Sequence, residues 1–320
     1  MHRFFHQLSQ ALSSGPLALA TVVSARGSTP RVAGARQFFT STGLSEGTVG
    51  GGVAEARVEE LAKATLVDGL PRVFEADMRG RPGDTRDGVC GGSMTVWIVR
   101  LEPTASLPAL RVLTQFLQAG CKVALSLRFQ ADEPIVVFPL DKAMTDSSPE
   151  QFTEIIQPSP RLLIVGAGHI GRSLAYLVDR LGFALTVQDG RPEWLVSEAF
   201  PAGCACEFSL DEAAGALRQW EGGRFIALVT RGFPQDVEAL KVLSEVPADY
   251  FGILGSKARV ATVFAAAREA GLPIPASPVL HAPIGIEIGA ETPDEIAVSI
   301  AAEIIRVWRR GCGSTMRLVS

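Results

Sequence analysis

A chain of 320 residues, 47% hydrophobic and 20% charged with a net charge of −4, is long enough for two domains that each bury a core. Its mild acidity argues against a nucleic-acid surface, and no run approaches the roughly 18 apolar residues of a membrane span. The N-terminus alternates polar and apolar residues where a signal peptide needs an unbroken apolar core. The five cysteines show no C-x-x-C spacing, so the sequence predicts a cytoplasmic protein with neither a disulfide framework nor a structural zinc site.

In chain order, the first half predicts strands over 17–24, 37–40, 73–77 and 93–100, with clear helices over 54–66 and 110–117. This is the texture of an α+β module whose glycines are concentrated in loops, and three loops stand out. One is Arg26-Gly-Ser-Thr-Pro-Arg31 with Gly34-Ala-Arg36. Another runs through Gly50, Gly51 and Gly52 straight into a helix carrying Glu55. Backbone N–H groups and the helix dipole converge there, so an anion would fit, with Arg31 and Arg36 adding charge; the plainer reading is a tight turn with solvated arginines. The third is Asp84-Thr-Arg-Asp-Gly-Val-Cys-Gly-Gly92, in which Cys90 stands beside Gly91. Its thiol suits a soft metal or a sulfur donor, and equally a small buried hydrophobe.

A polar, proline-rich stretch predicts a linker over 146–160 between domains at 1–145 and 161–320. Beyond it the pattern is β-α repeated: strands over 162–165, 184–188, 225–229 and 250–254, helices over 170–181, 211–220, 235–244 and 258–270. Alternation of this kind predicts an α/β fold with a doubly wound parallel sheet of Rossmann type. The sequence Gly166-Ala-Gly-His-Ile-Gly171 sits between the first strand and the first helix, and Asp189 ends the second strand. In that context Gly166 permits the turn, Gly168 the approach of a phosphate and Gly171 the packing of helix on strand, while Asp189 accepts from a ribose hydroxyl. That carboxylate would repel a 2′-phosphate, so a non-phosphorylated ribose is the expected preference, which Arg191, two residues on, weakens. His169 lies inside this loop, facing either a ligand or water. Gly255, Ser256 and Lys257 follow the strand over 250–254, at the sheet edge where ligands bind. His281, with Glu287 nearby, suits acid–base or ligand chemistry or a satisfied structural role. Cys204 and Cys206 face one side of a strand and read as core packing. Thr292-Pro-Asp-Glu295 predicts a capping box opening a helix over 293–309.

Taken together and in order, Gly27-Ser-Thr-Pro-Arg31, Gly47-Thr-Val-Gly-Gly-Gly52 with Glu55, Cys90-Gly-Gly92, Gly166-Ala-Gly-His-Ile-Gly171, Asp189 with Arg191-Pro192-Glu193, Gly252-Ile-Leu-Gly-Ser-Lys257 and the long motif from His281 to Glu295 resemble the XdhC/CoxI family of xanthine dehydrogenase accessory proteins. The resemblance covers nearly the whole chain. It implies an N-terminal XdhC/CoxI domain and a C-terminal Rossmann domain. It also implies a chaperone that binds molybdenum cofactor (molybdopterin), keeps it available for sulfuration and delivers it to a xanthine dehydrogenase-type molybdoenzyme. A homodimer and a cysteine desulfurase partner belong to the same implication. On this reading Cys90 becomes molybdenum-proximal, and the turn at Gly50–Gly52 with Arg31 cradles a pterin phosphate. Two positions depart from the family pattern: Val53 stands where a cysteine usually follows the glycine run, and Thr230-Arg-Gly-Phe-Pro234 where a histidine usually follows the strand. The alternatives are an NAD(P)-dependent oxidoreductase and a nucleotide-sensing regulatory protein.

Overall fold

In a computed structural model the described residues are 2–78, 91–140, 150–275 and 277–310. They form two units, Met1–Pro158 and Ser159–Ser320.

The first unit holds a five-stranded antiparallel sheet in the order β3-β2-β1-β5-β4: β1 Leu17–Arg26, β2 Arg36–Thr40, β3 Ser45–Gly47, β4 Arg72–Asp77 and β5 Ser93–Leu101. Successive side chains of a strand point to opposite faces, and here both faces are buried. Leu17 and Leu19 of β1, with Trp97, Val99 and Leu101 of β5, enter one core; Ala18, Ala20 and Val22, with Met94, Val96 and Ile98, enter the other. That is why these strands read as continuous apolar runs. Helix α2 (Gly52–Asp68) covers the second face through Ala54, Val58 and Ala62. The first face is covered by α1 (His2–Ser13) and α3 (Pro103–Gln118).

The sequence reading did not mark α1 as a helix. Its buried residues Phe5, Leu8 and Leu12 recur at three- and four-residue spacing, so the period is helical although the local impression is of alternation. The helix expected over 110–117 starts earlier, at Pro103, which suits a first helical position, and runs through Pro108. Within the stretch expected as linker lies β8, Gln151–Ile156, which pairs with β6, Val123–Arg128; β6 also pairs with β7, Ile135–Phe138. Its polar composition reflects an edge strand with one half-exposed face.

In the second unit six parallel strands lie in the order β11-β10-β9-β12-β13-β14: β9 Arg161–Val165, β10 Ala184–Gln188, β11 Ala205–Glu207, β12 Arg224–Leu228, β13 Tyr250–Ile253 and β14 Leu280–His281. Strand order reverses between β9 and β12, the arrangement of a doubly wound nucleotide-binding sheet, whose ligands sit in the crevice at that point. Alternate residues again divide two cores. Leu162 and Ile164 of β9 meet α4 (His169–Arg180) and α8 (Pro293–Arg309) on one face. Leu163 and Val165 meet α5 (Leu210–Arg218), α6 (Phe233–Leu243) and α7 (Lys257–Glu269) on the other. Helix α8 begins with the capping box that its sequence predicts: Thr292 Oγ1 accepts from the Glu295 N–H, and Glu295 Oε2 accepts from the Thr292 N–H. Cys204 and Cys206 pack against the first of these cores, and burial pushes the Cys204 thiol up to about 12. Among the described residues no helix is long and apolar enough to cross a membrane.

Candidate functional site

The turn after β9 assigns each fingerprint glycine a different task. Gly166 holds φ +118, and a Cβ there would lie 2.7 Å from the Val229 carbonyl oxygen. A Cβ on Gly171 would lie 2.0 Å from the Gly166 carbonyl oxygen, so α4 touches its own turn. Gly168, the N-cap of α4, has φ −71; a Cβ there would meet nothing within 4 Å, so this glycine borders open space. The space is a cavity of about 380 Å³ lined by Val165, Gly166, Gly168, Gln188, Asp189, Gly190 and Arg191 on one side and by Leu210, Val229, Thr230, Arg231, Gln235, Glu238 and Ala239 on the other. It lies at the carboxyl ends of β9, β10 and β12, has the size of a small-molecule pocket, and combines apolar walls with a few polar groups.

Asp189 is 6% exposed and already committed. Its Oδ2 accepts from the Ala167 N–H at 2.9 Å and from Arg191 Nη2 at 2.7 Å; its Oδ1 accepts from Arg191 Nε at 2.8 Å and the Arg191 N–H at 3.1 Å. Burial alone would raise this carboxyl, but the Arg191 guanidinium and the Ala167 N–H outweigh it and hold the group below the usual carboxylate range. A depressed folded-state value adds stability above the unfolded value of about 3.9 and loses it as pH falls through the folded one. The destabilisation caused by Asp189→Asn is therefore expected to be full at pH 6 and to shrink below about pH 4. Urea denaturation across that range checks it, and a deficit independent of pH would refute the assignment.

The other predicted residues separate. His169 is exposed and absent from the pocket wall, its ring edge-on to Trp194 at 6.3 Å. Gly255, Ser256 and Lys257 are absent from the pocket wall; the Ser256 hydroxyl caps α7 by accepting from the Arg259 N–H. Arg259 reaches back to the buried Asp236 of α6, with Nη2 at 2.6 Å. His281 does not meet Glu287. It stacks on Tyr250, with ring centroids 4.5 Å apart, and its Nδ1 lies 3.1 Å from Glu303 of α8. Glu303 also accepts from the Tyr250 hydroxyl and the Gly285 N–H, both at 2.8 Å, so this histidine belongs to a structural network. Sequence reasoning passed over Trp194, Arg172 and Arg231. The position of Arg231, just past β12 at the reversal of strand order, was the available signal.

In the first unit the described parts of the three loops meet, the third through Gly91 and Gly92. A Cβ on Gly50 would meet Pro30 at 2.9 Å, and one on Gly92 would meet the Ser28 carbonyl oxygen at 2.4 Å. Gly50, Gly51 and Gly52 all have positive φ, and Gly51, Gly52 and Gly91 border open space. The expected anion site is altered by two internal partners. Glu55 accepts from the Gly51 N–H at 2.9 Å and from Thr48 at 2.6 Å, so a protein carboxylate occupies part of the helix N-terminus. Arg36 is buried and paired with Glu154 of β8, which withdraws its charge from the loops. Arg31 is exposed and forms no salt bridge among the described residues. Cys90 lies outside the described residues.

The second unit is thus a Rossmann-type fold with a formed pocket, and the first is an α+β unit with a glycine-lined loop cluster. The family models agree with both halves. The XdhC Rossmann domain matches residues 162–304, and the XdhC and CoxI family matches residues 11–77. The chain belongs to the XdhC and CoxI family. It is 31% identical over 303 residues to the uncharacterized protein YqeB of Escherichia coli strain K12, covering 94% of this chain and 45% of that protein, so it spans less than half of that relative's length. It is 27% identical to a probable xanthine dehydrogenase subunit of Bacillus subtilis strain 168, covering 96% of this chain and 98% of that one. It is 25% identical to the molybdenum cofactor insertion chaperone PaoD of E. coli strain K12, covering 93% of this chain and 86% of that one. A crystal structure described as a xanthine dehydrogenase from Bacillus halodurans superposes with a TM-score of 0.75 at 26% identity, covering 98% of each chain.

Proposed function

We propose that this protein is an accessory factor for a xanthine dehydrogenase-type molybdoenzyme, which binds molybdenum cofactor, keeps it available for sulfuration and passes it on. Membership of the XdhC and CoxI family supports this reading, as does similarity along most of the chain to a protein named a molybdenum cofactor insertion chaperone. The observation that carries it is the close approach, in the first unit, of Gly50 to Pro30 and of Gly92 to Ser28. There Gly51, Gly52 and Gly91 leave open backbone, Val53 follows Gly52 with an exposed side chain, and the exposed Arg31 follows Pro30, which faces Gly50. A group bearing a phosphate would find the Arg31 guanidinium and backbone N–H donors there. Glu55 limits the site, because it holds the Gly51 N–H.

Purified protein is expected to carry pterin and molybdenum. Arg31→Ala should lower the pterin-to-protein ratio after gel filtration by about tenfold, the worth of one charge-assisted hydrogen bond. Val53→Cys, at a side chain 62% exposed, should raise that ratio without loss of stability. Protein free of pterin after expression alongside an active molybdoenzyme would refute the reading.

The pocket of the second unit favours a second component, an adenine nucleotide held by Gly166, Gly168 and Gly171, serving either as a regulatory ligand or as the cofactor of an oxidoreductase. A substrate-dependent absorbance change at the nicotinamide band supports the oxidoreductase, and binding without turnover supports the regulator.

A further inference from the structure

Two arginines, Arg191 and Arg231, line the pocket near Asp189 and Trp194, and Arg172 stands beside them. Arg191, Arg172 and Arg231 all place their guanidinium carbons over the Trp194 ring, at 4.6, 5.2 and 5.9 Å from its centroid. Arg191 is paired with Asp189. Among the described residues Arg172 donates to the backbone carbonyls of Ala167 and Trp194, and Arg231 is exposed and forms no salt bridge. Two more carboxylates are near: Glu193, two residues after Arg191 in sequence and in charge contact with it, and Glu238 on the α6 wall. Neither forms a salt bridge to these guanidiniums.

Asp189 cannot serve as the usual ribose acceptor without giving something up. A carboxylate offers about four lone-pair positions, and here four N–H donors fill them. A ribose hydroxyl would have to displace the loop N–H or part of the Arg191 fork. Arg191, by contrast, has a donor in reserve, since its Nη1 is buried and has no hydrogen-bond partner. In doubly wound folds an acidic residue at this position reads the bare ribose, and an arginine nearby accommodates a 2′-phosphate.

We propose, building on the nucleotide reading of this pocket, that it selects a 2′-phosphorylated adenine nucleotide of the NADP class. Arg191 and Arg231 contact the phosphate, and Asp189 positions Arg191 and the glycine turn. The guanidinium that neutralises Asp189 thereby turns a site that would repel a phosphate into one that attracts it.

Calorimetric titration of the full chain, stripped of endogenous ligand, tests this with four probes: NADP⁺, NAD⁺, 2′,5′-ADP and 3′,5′-ADP. NADP⁺ is expected to bind at least about tenfold tighter than NAD⁺, and 2′,5′-ADP tighter than 3′,5′-ADP by a similar factor. Arg191→Gln and Arg231→Gln should each bring both ratios towards one. Arg231 is exposed, so an unchanged melting temperature in its variant shows that the loss is not one of folding. NAD⁺ binding as tightly as NADP⁺ overturns the proposal while leaving the nucleotide reading intact. Equal affinity for 2′,5′-ADP and 3′,5′-ADP also overturns it, since the cluster would then attract any anion. Failure of all four probes to bind removes the nucleotide reading and the proposal with it.

Discussion

Gly171→Ala is expected to destabilise the second unit by about 3 kcal/mol, at the upper end of what overpacking costs, and to abolish nucleotide binding. The added Cβ would stand 2.0 Å from the Gly166 carbonyl oxygen and 3.1 Å from its carbon, and both are backbone atoms that no rotamer change can move aside. Relief requires α4 to withdraw from the turn. Leu174, Ala175 and Val178 on that helix are fully buried against β9 and α8, so withdrawal opens the core they share. Gly168→Ala supplies the contrast. Its φ is accessible to any residue and its Cβ would enter open space, so stability should change by less than about 1 kcal/mol, in line with ordinary helix-end substitutions. The methyl group would nonetheless stand where a ligand must approach the backbone. Urea unfolding of both variants, with nucleotide titration, separates the two roles, and a Gly171→Ala protein as stable as wild type would show that the contact is not limiting.

Asp236→Ala should cost about 3 kcal/mol, the lower end of the range for breaking a buried ion pair, because Arg259 keeps a quarter of its side chain in water. The Asp236 carboxylate is fully buried and accepts from Thr230 Oγ1 at 2.6 Å and from Arg259 Nη2 at 2.6 Å and Nε at 3.2 Å. Its removal strands a guanidinium against the Thr230 carbonyl and hydroxyl. Arg259→Met added to Asp236→Leu should recover much of the loss, because replacing both charges with apolar groups removes the unpaired ion. A double-mutant cycle decides it, and strictly additive effects would mean that the pair is not coupled. Thr230 lines the pocket at the strand-order reversal, so this pair also holds one of its walls.

The second unit was legible because its strands, turns and helices repeat with a strict period. Buried parallel strands such as 162–165 are apolar throughout, and Gly166, Gly168 and Gly171 mark where one ends and a helix starts. The first unit was less so. The period of α1 rests on only three buried positions, and β6 to β8 form a small sheet whose polar outer face resembles loop composition. Partners distant in sequence were invisible: Arg36 finds Glu154, and His281 finds Glu303 rather than the nearer Glu287. Spacing also marked where N–H groups converge, at Gly51 and Ala167, without revealing that Glu55 and Asp189 already accept from them. A local motif reports backbone geometry, whereas the occupancy of its donors is decided by the fold.

Glu303 lies near the end of the described chain, yet it accepts from β13 through Tyr250, sits beside His281 of β14 and ties down the following loop at Gly285. A ribosome releases these parts in sequence order. While β13 and β14 emerge, the anion that gathers them has not been made, and the same holds for Ile300 and Ile304, which complete the core over α4. The far side of the sheet must therefore wait, with its donors in water, until α8 is synthesised. Among the described residues, the cores of the first unit draw on nothing later than Ile156. Vectorial synthesis gives the two units different dependences on the stretch of message that encodes α8.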